Sequence, residues 1–217
     1  MTRVRIPGRP VIAGLALALA LVLAGCAAPQ YTYVADTTAH AYFKVPRVWT
    51  KISTAALDKV TGAGTPGGAW TAGYDASRPA SPNHVLSLVP ARPFVYAAVG
   101  QVTRAAANTL SYNLLRDSFL PVTAAARQTA TQNGFPLTGF RLLGSSMLEL
   151  AQGIHGIRET YDYTYKGGRV VTFDQIALTN ADDTEVYMLL VHCLSACYSR
   201  HQAQINTVLK SFTVRSP

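Results

Sequence analysis

Residues 154–178 read IHGIRETYDYTYKGGRVVTFDQIAL. Ile157, Glu159, Tyr161, Tyr163 and Tyr165 fall on one side at a spacing of two, which is the period of a strand. Lys166-Gly167-Gly168-Arg169 then reverses the chain, because glycine accepts the positive φ that tight hairpin turns require. Val170 to Leu178 is the returning strand, and Asn180-Ala181-Asp182-Asp183 makes the next turn. It delivers Val186-Tyr187-Met188-Leu189-Leu190-Val191, apolar without alternation and so buried on both faces. An antiparallel sheet with a doubly covered central strand needs helices on both sides. The predicted fold class is therefore α+β, a central antiparallel β-sheet flanked by helices on both faces.

Outward from this core the signals continue. A last helix begins near Ser199, with Ser199 and Gln202 fitting a capping box, and carries Ile205, Val208, Leu209 and Phe212 at core-facing spacing. On the other side, Phe140 to Leu150 reads as a strand. Ser111 to Asn133 reads as a helix interrupted at Pro121 and stopped by Asn133-Gly134 and Pro136. Ala69–Tyr74, His84–Val89 and Phe94–Val102 are predicted strands, and the glycines of 62–68 form a loop. Thr50 is placed to cap a short helix through Val60, after a strand at Tyr42-Phe43-Lys44-Val45-Pro46.

The chain of 217 residues begins with a different kind of segment. Arg3, Arg5 and Arg9 precede an apolar run of 14 residues from Val11 to Ala24. A spanning helix needs roughly 20 such residues, whereas a run of about 10–14 suits a secretory signal. Leu23-Ala24-Gly25-Cys26 follows and resembles the lipobox of bacterial lipoproteins. Small residues at 24 and 25 admit the backbone to a peptidase cleft, and Cys26 supplies the thiol that carries diacylglycerol with its palmitate-type chains. The expected organisation is a signal peptide over 1–25, a lipidated tether over 26–39 and a single domain over 40–217. Attachment at Cys26 implies the extracytoplasmic face of the cell membrane, with the lipid as anchor.

Loss of the three leader arginines takes the basic count from 19 to 16 against 11 acidic residues, so the net charge falls from +8 to +5. No run of Lys or Arg follows residue 26, which argues against nucleic acid as a partner. A modest positive surface suits a position beside anionic lipid.

Tyr42-Phe43-Lys44-Val45-Pro46 with Trp49 is similar to the opening strand of the PsbP-like fold, and Ile205 with Lys210-Ser211-Phe212-Thr213-Val214 resembles its C-terminal end. The chain also resembles a group of actinobacterial lipoproteins carrying this fold, over about residues 40–214. The resemblance implies an α/β/α sandwich and non-catalytic work as an envelope accessory. It brings no catalytic residue and no cofactor.

The densest chemistry lies at His192-Cys193-Leu194-Ser195-Ala196-Cys197-Tyr198-Ser199-Arg200-His201. Cys193 and Cys197 could join His192 and His201 around zinc. The favoured reading is a Cys193–Cys197 disulfide, since with Cys26 lipidated these are the remaining thiols and the compartment is oxidising. His192, ending an apolar strand, reads as a hydrogen-bonded core histidine. No serine sits in Gly-x-Ser-x-Gly, and Gly144-Ser145-Ser146-Met147 lacks the second glycine, so no enzyme is predicted. The glycines of 62–68 do not end in Gly-Lys-Ser/Thr, which removes a phosphate loop. Glu159, Tyr161 and Tyr163 are the candidate ligand cleft: if their face is open, a carboxylate among tyrosines suits a polar-headed ligand. If it is core, Glu159 needs a partner, a buried arginine or a tyrosine hydroxyl; exposure at the end of the sheet is the plainer reading. The function expected is a binding or accessory module for an envelope lipid, glycolipid or membrane protein. An envelope hydrolase and a structural spacer are the alternatives.

Overall fold

The structure is a computed structural model that describes residues 29–63 and 70–215. Cys26, the leader over 1–25 and the start of the expected tether lie outside the described residues. The rest of that tether is partly structured: Tyr31–Asp36 is a strand, β1, paired antiparallel with β2, Ala41–Pro46. Aromatic and β-branched residues at Tyr31, Thr32, Tyr33 and Val34 favour a pleated conformation once a partner strand is present. The opposite edge of β2 pairs with β10, Thr213–Val214, completing a three-stranded sheet.

The main sheet has seven strands in the order β3-β4-β5-β9-β8-β7-β6, every neighbouring pair antiparallel. These are β3 (Thr50–Ile52), β4 (Trp70–Asp75), β5 (Phe94–Gln101), β6 (Thr138–Glu149), β7 (His155–Tyr165), β8 (Arg169–Thr179) and β9 (Glu185–Leu194). β9, the apolar strand without alternation, occupies the centre. The hairpin between β7 and β8 turns where predicted, with Gly167 at φ +74° and Gly168 at φ +72°.

Helix α5 (Ser195–Lys210) covers one face with the small sheet. Ile205, Val208 and Leu209 are buried against Val95, Leu189 and Val191, together with Phe43, Val45 and Phe212. Each such side chain contributes about 2 kcal/mol by leaving water. The other face is covered by α1 (Thr54–Thr61), α3 (Tyr112–Arg116) and the segment running on to Leu137, through Leu57, Leu115, Val122 and Leu137. Helices on both faces follow from the burial of β9, as the sequence predicts.

Several local expectations are corrected. Thr50 begins β3, not a helix, and Ser53 caps α1 by accepting from the Ala56 amide. His84–Val89 is no strand: Ser81 accepts from the Asn83 amide and Pro82 starts a short 3-10 turn over Pro82–Leu86. α2 (Arg104–Ala107) is an additional helical turn. The interruption expected at Pro121 is present but wider than one residue: α3 ends at Arg116 and α4 (Ala124–Gln132) begins after Thr123, with the Asp117 carboxylate accepting from the amides of Val122 and Thr123 between them. α5 starts at Ser195 instead of Ser199, directly after β9, with the Cys193–Cys197 disulfide spanning the junction at a Cα separation of 6.0 Å. Among the described residues, no helix is long and apolar enough to cross a membrane.

Candidate functional site

The face carrying Glu159, Tyr161 and Tyr163 is real but closed. The three are 1%, 0% and 2% exposed, beneath residues 112–137. Glu159 Oε1 accepts from Arg116 Nε at 2.8 Å and from Ser145 Oγ at 2.9 Å, so an arginine is present as a core carboxylate needs, with a serine hydroxyl where a tyrosine was expected. Tyr161 donates to Gln175 Oε1 at 2.8 Å, and burial pushes its hydroxyl well above the ordinary value. Tyr163 donates to the Pro121 carbonyl, and its hydroxyl is pushed up to about 12 by burial. Phe135 and Phe140 pack edge-on against Tyr163. This face is therefore closed core and not an open ligand cleft, with Glu159 Oε2 left without a partner among the described residues. Nor do the four groups of the zinc reading converge. Cys193 is bonded to Cys197 on the α5 face, while His192, one residue earlier on β9, points to the other face. His201 meets Gln204 and Arg92.

The site the structure offers instead is built by the connection between β4 and β5, residues 76–93. Its anchor is Asp75, at the end of β4 and 1% exposed. One carboxylate oxygen accepts from the Ser77 amide at 2.8 Å. The other accepts from the Ser81 amide at 2.9 Å and bonds His84 Nδ1 at 2.6 Å. Burial pushes the Asp75 carboxyl up, but the Ser81 and Ser77 amides and His84 outweigh it and hold it below the ordinary value. The far end of the connection is tied down by the Leu194 amide, which donates to the Pro90 carbonyl at 2.9 Å.

Two concavities flank this connection. The first, about 620 Å³, is lined by Ser77, Arg78, Ser81, His84, Ser87 and Arg92 among others. Arg78 and Arg92 are exposed, so its rim is cationic. The second, about 270 Å³, is lined by Val85, Leu86, Leu88, Phe119, Leu120, Phe173 and Leu190, with Ser87, Thr61, Tyr96 and His192. Ser87 lines both, so a charged compartment and an apolar one adjoin. Leu86, 62% exposed, stands at the apolar side.

Strand register joins them beneath. Asp75 opposes Phe94, Phe94 opposes His192, His192 opposes Phe173, and Phe173 opposes Tyr161. The row is therefore continuous across five strands. The His192 ring stacks on Phe173 at 5.5 Å and 5° and is 6.2 Å from Phe94. It is 1% exposed, the core position expected, but the expected hydrogen bond is not made: neither ring nitrogen has a partner among the described residues. Burial pushes its imidazole down to about 4, against the raising pull of Asp75.

This seven-stranded antiparallel sheet between helices matches the solution structure of the cyanobacterial PsbP protein of Synechocystis. The two share 11% identity over 88% of this chain and 96% of that chain, with a TM-score of 0.53. The fold is PsbP-like. Weaker likenesses are to LpqN of Mycobacterium tuberculosis, described as involved in cell envelope biogenesis, and to the Ran-binding protein Mog1p of Saccharomyces cerevisiae. The first has 17% identity, coverage of 86% and 91%, and a TM-score of 0.47; the second has 9%, 86% and 96%, and 0.45. No family model matches the chain, and no curated protein matches it significantly by sequence.

Sequence reasoning missed this cleft because 84–89 was read as a strand. The available signal was Asp75 followed by Ser77, Pro79, Ser81 and Pro82: an aspartate before serines and prolines organises turns through backbone amides.

Proposed function

We propose that the chain is a lipid-anchored, extracytoplasmic and non-catalytic module that binds an anionic amphiphile of the cell envelope, a lipid or glycolipid, in the cleft formed by residues 76–93. The observation that carries this reading is the adjacency at Ser87 of a cationic concavity and an apolar one. Arg78, Arg92 and His84 suit a phosphate or carboxylate head, while Leu88, Phe119, Leu120 and Leu190 suit hydrocarbon. Cys26 supplies the anchor: Cys26→Ala leaves the chain unprocessed or free of the membrane. The binding test is mass spectrometry of lipid extracted from the purified chain. An anionic amphiphile near one-to-one, lost in Arg78→Glu/Arg92→Glu, supports the reading; a chain free of lipid, with a membrane protein recovered in its place, overturns it.

One observation favours a second reading, an envelope hydrolase. Asp75 holds Nδ1 of His84 at 2.6 Å in a concavity that also carries Ser77, Ser81 and Ser87, an arrangement in which Nε2 could act as base. Turnover of short-chain esters abolished by His84→Ala distinguishes it from the binding module.

A further inference from the structure

We propose that His192 is the specificity-determining residue of the apolar concavity, where its ring hydrogen-bonds one uncharged oxygen function, a hydroxyl or a carbonyl, on the hydrophobic part of the amphiphile. This rests on the amphiphile-binding reading and names what that ligand must carry.

Most of the other buried polar groups on the face of the sheet where His192 lies have partners. Gln175 accepts from Tyr161 and donates to the Arg116 carbonyl, Tyr163 donates to the Pro121 carbonyl, and Asp75 is saturated by two amides and His84. Glu159 has partners on one of its two oxygens and lines neither concavity. His192 alone among these lines the apolar concavity with both polar atoms unpartnered among the described residues. Its stacking on Phe173 and its approach to Phe94 do not account for the nitrogens, since a phenyl ring would stack as well.

The chemistry of the ring fixes the class of group it takes. Held neutral by burial, the imidazole presents one donor and one acceptor. A hydroxyl can pair with either nitrogen, accepting from the protonated one or donating to the other, and a carbonyl can accept from the protonated one. Phe119, Leu120, Phe173 and Leu190 offer no countercharge, so an ionised group there would be uncompensated. The charged head is thereby directed to Arg78 and Arg92, and a neutral oxygen to His192.

The test uses the full chain in detergent with three probes of equal length: octanol, octanone and octane. Each apparent Kd is compared between wild type and His192→Phe, so that partition into the micelle cancels for each probe. Octanol and octanone lose about 10- to 100-fold in affinity in His192→Phe, while octane changes by less than about twofold. His192→Gln, which keeps a donor and an acceptor, retains most of the octanol affinity. Octanol also moves the ring nitrogen resonances of His192 in wild type. Equal losses for all three probes, or octanol bound with those resonances unmoved, overturn the role of His192 and leave the amphiphile-binding reading standing. Binding of none of the probes to wild type overturns both.

Discussion

Acidification destabilises this domain through His192 in a window set by its burial. The imidazole falls from its ordinary 6.5 to about 4 in the folded chain, with Asp75 the charged group that opposes the fall. Between those values the unfolded chain binds a proton that the folded chain refuses, so stability rises with pH there and is lost as pH drops. Fully developed near pH 4, the loss is about 3 kcal/mol, at roughly 1.4 kcal/mol per pH unit. Asp75 acts in a separate window. Its carboxyl lies below the ordinary 3.8, so its stabilisation is present above that value and lost only at more acid pH. Urea unfolding of wild type and His192→Phe, followed by fluorescence from about pH 7.5 to about pH 4, isolates the histidine, because every other titrating group is common to both. Wild type loses about 3 kcal/mol more than the variant across the window. Parallel loss in the two proteins would refute the reasoning, since it would mean that the ring is protonated without cost in the fold.

Arg116→Ala leaves the Glu159 carboxylate buried without its cation and lowers stability by about 3 kcal/mol; adding Glu159→Gln restores much of this, as urea unfolding will show. Gly156→Ala costs more than about 3 kcal/mol or prevents folding, because its methyl would meet the backbone of Ala177 and stand 2.7 Å from Leu178 Cα. The measurement is soluble yield together with the thermal midpoint. Joint replacement of Cys193 and Cys197 by alanine costs about 2 kcal/mol from loop closure alone. Alkylation of the unreduced chain labels neither cysteine.

The elements that could be read early are those whose signal is local. The β7–β8 hairpin follows from alternation and two glycines, and the unalternating run of β9 places it at the sheet centre. The common face of Glu159, Tyr161 and Tyr163 was also legible, because parity along a strand depends on nothing else. What covers that face was not. A half-buried face and a cleft have the same alternation, and the choice fell to residues 112–137, whose docking buries all three. β1 was read as tether because its strand character is expressed through pairing with β2. The connection over 84–89 was read as a strand because its apolar residues line a concavity and not a sheet.

From the sequence alone came the α+β class, the helices on both faces and the Cys193–Cys197 pairing. Periodicity, turn chemistry and cysteine counting act over a few residues and survive without knowledge of neighbours. The tertiary structure alone decided that Asp75 grips His84, that Ser87 lines both a cationic space and an apolar one, and that the buried His192 has no partner for its nitrogens among the described residues. Those facts depend on the register that aligns Asp75, Phe94, His192 and Phe173 across four strands, and register is a property of the assembled sheet.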